Sequence, residues 1–245
     1  RAVALGPAPG LLAPGVYLWN SEQGKVGAPL LLAEGDLTCA VAAGDTIAAA
    51  MAGGAIGIAR TPPESAPLRT LRSDGERVLA LALSPDGQRL LSGSAGGHVR
   101  LWDVTTGTEV ASWADSIGPV RSVAFTPGAD GLAAVYERGL VVTRPIAGGP
   151  VRRVAIGDEG TALAFSPDGR ILAAASGRQD QEISLLAWPS LEKIAALKGH
   201  THIVQGLAFS PDSTRLVSVS MDHTVKVWDA QRALEAATLY GHDYG

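Results

Sequence analysis

With 245 residues, 46% of them hydrophobic and 18% charged, the chain can bury a sizeable core and lies outside the composition of disordered segments. A net charge of −4 leaves no electrostatic footprint for nucleic acid, since a phosphate-binding face shows as a basic excess or stripe. The single cysteine, Cys39 in an apolar run, excludes an intrachain disulfide and a CxxC metal knuckle and reads as a small buried hydrophobe.

Thirty glycines and fifteen prolines spread along the chain call for many turns and short elements, which favours an all-β fold. The apolar run at residues 46–59 (TIAAAMAGGAIGIA) is broken by a Gly-Gly pair and is shorter than the ~18–20 residues of a spanning helix, so no direct membrane insertion is expected. The first residue is Arg1 rather than Met, which reads as a processed or excerpted piece. All but four of the basic residues are Arg and Ala is abundant, a bias that points to a GC-rich bacterial source. A soluble protein of cytoplasm or periplasm fits these features, which do not choose between the two.

Taken in chain order, the sequence repeats itself. The first unit, residues 1–33, opens RAVALGPAPG and ends its second strand in VYLWN, an abbreviated copy. The second, 36–71, keeps strand, turn, strand, Gly-Gly turn and strand in TCAVAAGDTIAAAMAGGAIGIAR, with Ala59 or Arg60 where later copies carry Trp. The third, 77–114, holds LALSPDGQRLLSGSAGGHVRLWD, and the fourth, 119–154, the weaker VAFTPGADGLAAVYERGLVVTR, with Thr143 at the Trp place. The fifth, 160–198, holds ALAFSPDGRILAAASGRQDQEISLLAWP, and the sixth, 203–239, FSPDSTRLVSVSMDHTVKVWD. GHDYG at 241–245 reads as the start of a further repeat or a closing segment.

The turn prolines Pro85, Pro127, Pro167 and Pro211 lie 42, 40 and 44 residues apart, and a period of about 40 to 45 with several short strands per unit is the signature of a blade array. Within a unit an apolar strand runs into Ser-Pro-Asp-Gly, where Pro presets φ while Asp and Gly supply side-chain capping and positive φ. A second strand, a hairpin turn, a third strand and a fourth complete a four-stranded antiparallel sheet. Stretches such as VLALAL and RILAAAS are apolar on both faces, so each sheet is expected to be covered on both sides. Blades stacked face to face around an axis do this.

The SPDG turns at 84–87 and 166–169, the Trp-Asp ends Trp102-Asp103 and Trp228-Asp229, and the Gly-His pairs Gly199-His200 and Gly241-His242 resemble the WD-repeat β-propeller family. The resemblance implies one all-β propeller over residues 1–245, with six repeats visible. Six blades, or seven with one missing from this chain, both fit. It further implies a hydrogen-bonded tetrad of His200, Ser218, Asp222 and Trp228. In the third repeat Ser92 and Trp102 remain, but Asp74 stands where the His belongs and Gly96 where the Asp belongs.

A Ser, a His and an Asp in one network also describe a hydrolase triad, but a Ser inside a strand covered by the next blade is out of a substrate's reach. His200 and His202 are two apart on an extended segment and point to opposite sides, poor geometry for one metal. No GxxxxGK[ST], HExxH, CxxCH or GxSxG motif is present, so no catalytic residue, cofactor or metal is expected. Function must then come from surfaces. The resemblance implies a non-catalytic scaffold that binds a protein or peptide partner through propeller-face loops, as part of a larger complex. Arg72, Arg100, His202, Met221 and His223, beside strand starts and hairpin turns, are the candidate contacts. The alternative is a propeller sensor or docking domain of a larger bacterial protein whose enzyme, NTPase or cytochrome module lies outside this chain.

Overall fold

The computed structural model describes residues 2–5, 16–20, 25–26, 37–60, 69–73, 75–179 and 181–240, the first three stretches as backbone strands only. Asp74 and the 241–245 segment lie outside the described residues. The chain divides into two compact units, Arg1–Pro119 and Val120–Gly245.

The first unit opens with a three-stranded sheet of β1 (Ala2–Leu5), β2 (Val16–Asn20) and β3 (Lys25–Val26). Repeat two follows as β4 (Leu37–Ala43), β5 (Thr46–Met51), β6 (Ala55–Arg60) and β7 (Arg69–Arg72), and repeat three as β8 (Val78–Leu83), β9 (Arg89–Ser94), β10 (His98–Asp103) and β11 (Glu109–Ala114). In the second unit, repeat four is β12 (Val120–Phe125), β13 (Gly131–Tyr136), β14 (Leu140–Pro145) and β15 (Arg152–Ala155). Repeat five is β16 (Gly160–Phe165), β17 (Ile171–Ser176), β18 (Ile183–Ala187) and β19 (Lys193–Leu197), and repeat six is β20 (Val204–Phe209), β21 (Arg215–Ser220), β22 (Thr224–Asp229) and β23 (Leu234–Tyr240). Repeats two to six are four-stranded antiparallel meanders in which every strand pairs with its sequence neighbour.

The copies share their irregularities as well as their strands. In all five sheets the register slips after the first pair of the opening strand, at Leu37/Cys39, Val78/Ala80, Val120/Ser122, Gly160/Ala162 and Val204/Gly206. A bulge at one place in every sheet raises the local twist the same way each time. The ladders also fix which residues correspond. Leu216 faces Trp228, as Leu90 faces Trp102, Ile47 faces Ala59, Leu132 faces Arg144 and Leu172 faces Leu186. The Trp place is therefore Ala59 in repeat two, and Arg144 rather than Thr143 in repeat four. Trp188 lies beyond the end of β18 and is replaced at that place by Leu186.

Apolar runs on both faces explain the core. All six residues of β5 and of β13 are buried. Between neighbouring sheets of the first unit, Ala48, Ala50, Ile56 and Ile58 pack with Leu90, Trp102 and Val104. In the second unit Ala133, Val135 and Val141 meet Leu163, Leu172 and Leu186, while Ala173, Ala175 and Leu185 meet Leu216 and Trp228. Each Leu, Ile or Val removed from water in this way contributes about 1.5–3 kcal/mol. The small alanines let the sheets approach closely.

The SPDG turns are small hydrogen-bond cages. In repeat three, Ser84 Oγ donates to Asp86 Oδ1 at 2.6 Å and accepts from the Arg89 amide at 2.9 Å, while the Gln88 amide donates to Asp86 Oδ1 at 3.0 Å. Repeats five and six rebuild this with Ser166–Asp168 and Ser210–Asp212, both at 2.6 Å. Gly87 and Gly169 take the positive-φ position, and Ser213 takes it in repeat six at φ 60°. Repeat four reaches the same end by another route, because in TPGAD the Thr126 hydroxyl donates at 2.6 Å to Asp130 and Ala129 takes φ 53°. The Ser210 hydroxyl and the Thr214 amide and hydroxyl bring the Asp212 carboxyl down to about 2.

Candidate functional site

The Gly199-His200 pair sits where the chain enters repeat six, Asp222 lies in the β21–β22 hairpin, and Ser218 and Trp228 lie on the two adjacent strands of that hairpin, Ser218 opposite Lys226. The structure brings all four side chains together. Trp228 Nε1 donates to Ser218 Oγ at 2.8 Å, Ser218 Oγ lies 2.7 Å from His200 Nε2, and His200 Nδ1 lies 2.8 Å from Asp222 Oδ2. Every proton finds an acceptor if the Ser218 hydroxyl donates to an unprotonated Nε2 and the Nδ1–H of a neutral His200 donates to the Asp222 carboxylate.

Asp222 gathers further donors: the Thr201 amide at 3.0 Å on Oδ2, and the Thr224 amide at 3.0 Å and hydroxyl at 2.6 Å on Oδ1. Burial alone would raise its pKa, but the hydrogen bonds from Thr224, Thr201 and His200 outweigh it and hold the carboxyl far below the usual carboxylate range. A carboxylate thus ties the entering loop (Thr201, His200) to the hairpin (Thr224).

As chemistry the network is sealed. Ser218 is 0% exposed and Trp228 2%, so a substrate carbonyl cannot reach the Ser218 hydroxyl beside His200 Nε2. Among the described residues no group of three or more His, Cys, Asp or Glu could hold a metal ion. Cys39 is likewise no nucleophile, because burial pushes its thiol up to about 11.

Repeat three shows what stands in when the tetrad is incomplete. Trp102 Nε1 donates to Ser92 Oγ at 2.8 Å, as in repeat six. At the hairpin, Gly96 has no side chain, and a Cβ there would meet Glu76 Oε1 at 2.3 Å. Glu76 fills that space from the entering loop, accepting from Ser94 Oγ at 2.6 Å and lying 3.0 Å from His98 Nδ1. The carboxylate and the imidazole have exchanged strands. The Ser94 hydroxyl and then His98 lower the pKa of Glu76.

The candidate contact residues divide. His202, Met221 and His223 are all exposed and lie at one end of the repeat-six sheet, where the Ser220 hydroxyl donates to the His202 carbonyl at 3.0 Å and the Met221 amide to that of Ile203 at 3.0 Å. Met221 is 45% exposed, and His223 is held at φ 65°. Arg72 is exposed and lines a cleft with Gly54 and Ser73 at the corresponding end of repeat two. Arg100 is different: it is 6% exposed, with Nε 3.4 Å from Glu109 Oε2. Two residues before Trp102, it shares the Trp face of its strand, so it is removed from the surface contacts expected of it. Repeat six repeats this device with Lys226, whose Nζ lies 2.8 Å from Glu235 and 6.0 Å from the Trp228 ring. The sequence carries its signal in a basic residue two before the Trp and a Glu on the next strand.

The Trp-Asp aspartates have a local task as well. Asp103 accepts from the Thr106 amide at 2.7 Å, and Asp229 from the Gln231 and Arg232 amides at 3.1 and 3.0 Å, so each caps the turn into the fourth strand.

A model of the family described as WD domain, G-beta repeat matches residues 65–103, 155–185 and 191–229. These stretches fall on repeats three, five and six. Cell division cycle 20.1, cofactor of APC complex, of Arabidopsis thaliana is 27% identical over 180 residues, covering 69% of this chain and 39% of that protein. WD repeat-containing protein srw1 of Schizosaccharomyces pombe is 24% identical over 178 residues, covering 70% of this chain and 32% of that protein. The chain thus spans about a third of the length of these curated relatives. They are eukaryotic and give no support to the bacterial source expected from composition. Among solved structures, the β-propeller domain of Cps50 (Swd1) from Myceliophteria thermophila matches with a TM-score of 0.74 at 19% identity, over 85% of this chain and 73% of that one. Repeats, turn cages, Trp–Ser bonds and these matches agree: the matched stretches carry the WD-repeat pattern, and the chain is similar to WD-repeat β-propeller proteins.

Proposed function

We propose that the chain is a non-catalytic protein-interaction scaffold that holds a protein or peptide partner through blade-end loops. The observation that carries this reading is the pairing of a sealed, fully bonded network with an exposed cluster directly over it. His200, Ser218, Asp222 and Trp228 hold the loop and hairpin of repeat six, and His202, Met221 and His223 project from that same loop and hairpin. An exposed thioether flanked by two imidazoles on a rigid base gives an adaptable apolar contact with polar flanks, at little ordering cost to the protein side. That one relative is described as a cofactor of a complex supports the reading. Nothing in the described residues favours the alternative of a bacterial sensor or docking module.

The test compares partner capture by the wild type and by the triple variant His202→Ala, Met221→Ala, His223→Ala, using quantitative mass spectrometry of proteins retained from a lysate of the source organism. The scaffold reading expects a defined set of proteins to be lost in the triple variant at an unchanged melting temperature. An identical retained set in both samples would remove these residues as the contact surface.

A further inference from the structure

Repeat four departs from repeats three and six where those carry the Trp-Asp corner, and a cleft lies at that place. On the strand-three end of the repeat-four and repeat-five sheets, Thr143, Pro145, Pro150, Arg152, Trp188 and Pro189 line a cavity of about 210 Å³. Its size decides the class of occupant. Pockets for drug-sized ligands and cofactors run about 300–1,000 Å³, so this one accepts a single bulky side chain rather than a whole small molecule. The apolar part of its wall is three proline rings and the Trp188 indole, which is held edge-on to Phe165 with ring centroids 5.0 Å apart; Arg144 and Asp130, the latter accepting from the Thr126 hydroxyl, also line it. Thr143, a residue 2% exposed, borders it.

Arg152 adds a charge at the rim. It is exposed, and one of its guanidinium N–H groups crosses from repeat four to donate to the Pro189 carbonyl at 2.9 Å. No carboxylate among the described residues forms an ion pair with it. A guanidinium pinned on one side and open on the others is pre-organised to receive a carboxylate with two parallel hydrogen bonds.

We infer that this seam is an anchor pocket for a linear peptide, taking one bulky apolar side chain between the prolines and Trp188 while an adjoining Asp or Glu of the peptide pairs with Arg152. The inference rests on the scaffold reading but places a contact on the blade flank, apart from the His202, Met221 and His223 cluster. Random 12-residue peptides displayed on phage are selected on the whole protein. The enriched peptide is then synthesised with a fluorescent label and titrated by anisotropy into the wild type, Arg152→Glu, Arg152→Lys and the triple variant of the blade end. The expected result is enrichment of an acidic residue beside a bulky apolar one, with binding weakened at least about tenfold by Arg152→Glu, less by Arg152→Lys, and unchanged in the triple variant. Circular dichroism verifies that Arg152→Glu, a surface change, keeps the fold, and Trp188→Ala gives a second perturbation of the same pocket. Binding insensitive to both Arg152→Glu and Trp188→Ala but lost in the triple variant would overturn this inference and leave the scaffold reading standing. No enriched peptide at all would also overturn it, while the partner-capture comparison would still judge the scaffold reading separately.

Discussion

Repeats three and six carry the same Trp–Ser bond, 2.8 Å long in each, yet close their blade ends differently. In repeat six the imidazole comes from the entering loop and the carboxylate from the hairpin, and both are nearly sealed, with side chains 1% and 7% exposed. In repeat three the carboxylate of Glu76 comes from the loop and the imidazole of His98 from the third strand, and they are 29% and 33% exposed. The indole and its serine thus specify the sheet interior, while the outer end needs only an acceptor and a donor that meet, whichever segment supplies each. Solvent access then sets how much each version is worth, since an exposed pair gains little over its hydration and a buried bonded pair leaves orphaned groups when broken.

The largest test of this contrast is Trp228→Ala, which removes a buried indole and strands the Ser218–His200 pair. It is expected to lower unfolding stability in urea by about 3–5 kcal/mol, with Trp102→Ala costing a comparable amount because the interior of repeat three is built alike. Asp222→Asn comes next, at about 1.5–3 kcal/mol near neutral pH, for the loss of a carboxylate that collects several hydrogen bonds. Its cost depends on pH with a definite sign. The folded pKa of Asp222 is depressed, so its contribution is fully present above the unfolded value of about 3.9 and is lost as pH falls toward the folded value. Urea midpoints of wild type and Asp222→Asn should therefore converge on acidification below about pH 4. Glu76→Gln is the smallest change, below about 1 kcal/mol for a pair this exposed. A cost equal to that of Asp222→Asn would erase the distinction drawn between the two ends.

Much of this was legible in the sequence, because the repeat superimposes its own copies. The SPDG stretches are local, so the turns at Ser84, Ser166 and Ser210 follow from their own residues, while the meeting of Ser218 with Trp228 is what the resemblance to the WD-repeat family implies. Register was harder to read. Arg144 stands 17 residues after its turn proline, as Trp102 and Trp228 do after theirs, and the expectation of Thr143 falls one residue short of that spacing. Glu76 was missed because the space it fills is created by an absence, the missing side chain of Gly96. Arg100 was read as a hairpin-flanking surface residue, although alternation puts it on the Trp102 face. The Arg152–Trp188 cleft joins segments 36 residues apart in different sheets, and no pattern within one repeat announces it.

Chemical denaturation of Ser218→Ala tests the central claim most directly, because Ser218 is the nucleophile a catalytic reading needs and, in the structural reading, the hydroxyl that joins Trp228 to His200. The structural account predicts a loss of about 1–3 kcal/mol, as the Trp228 N–H and His200 Nε2 are left buried without their shared partner. An unchanged denaturation midpoint would contradict it.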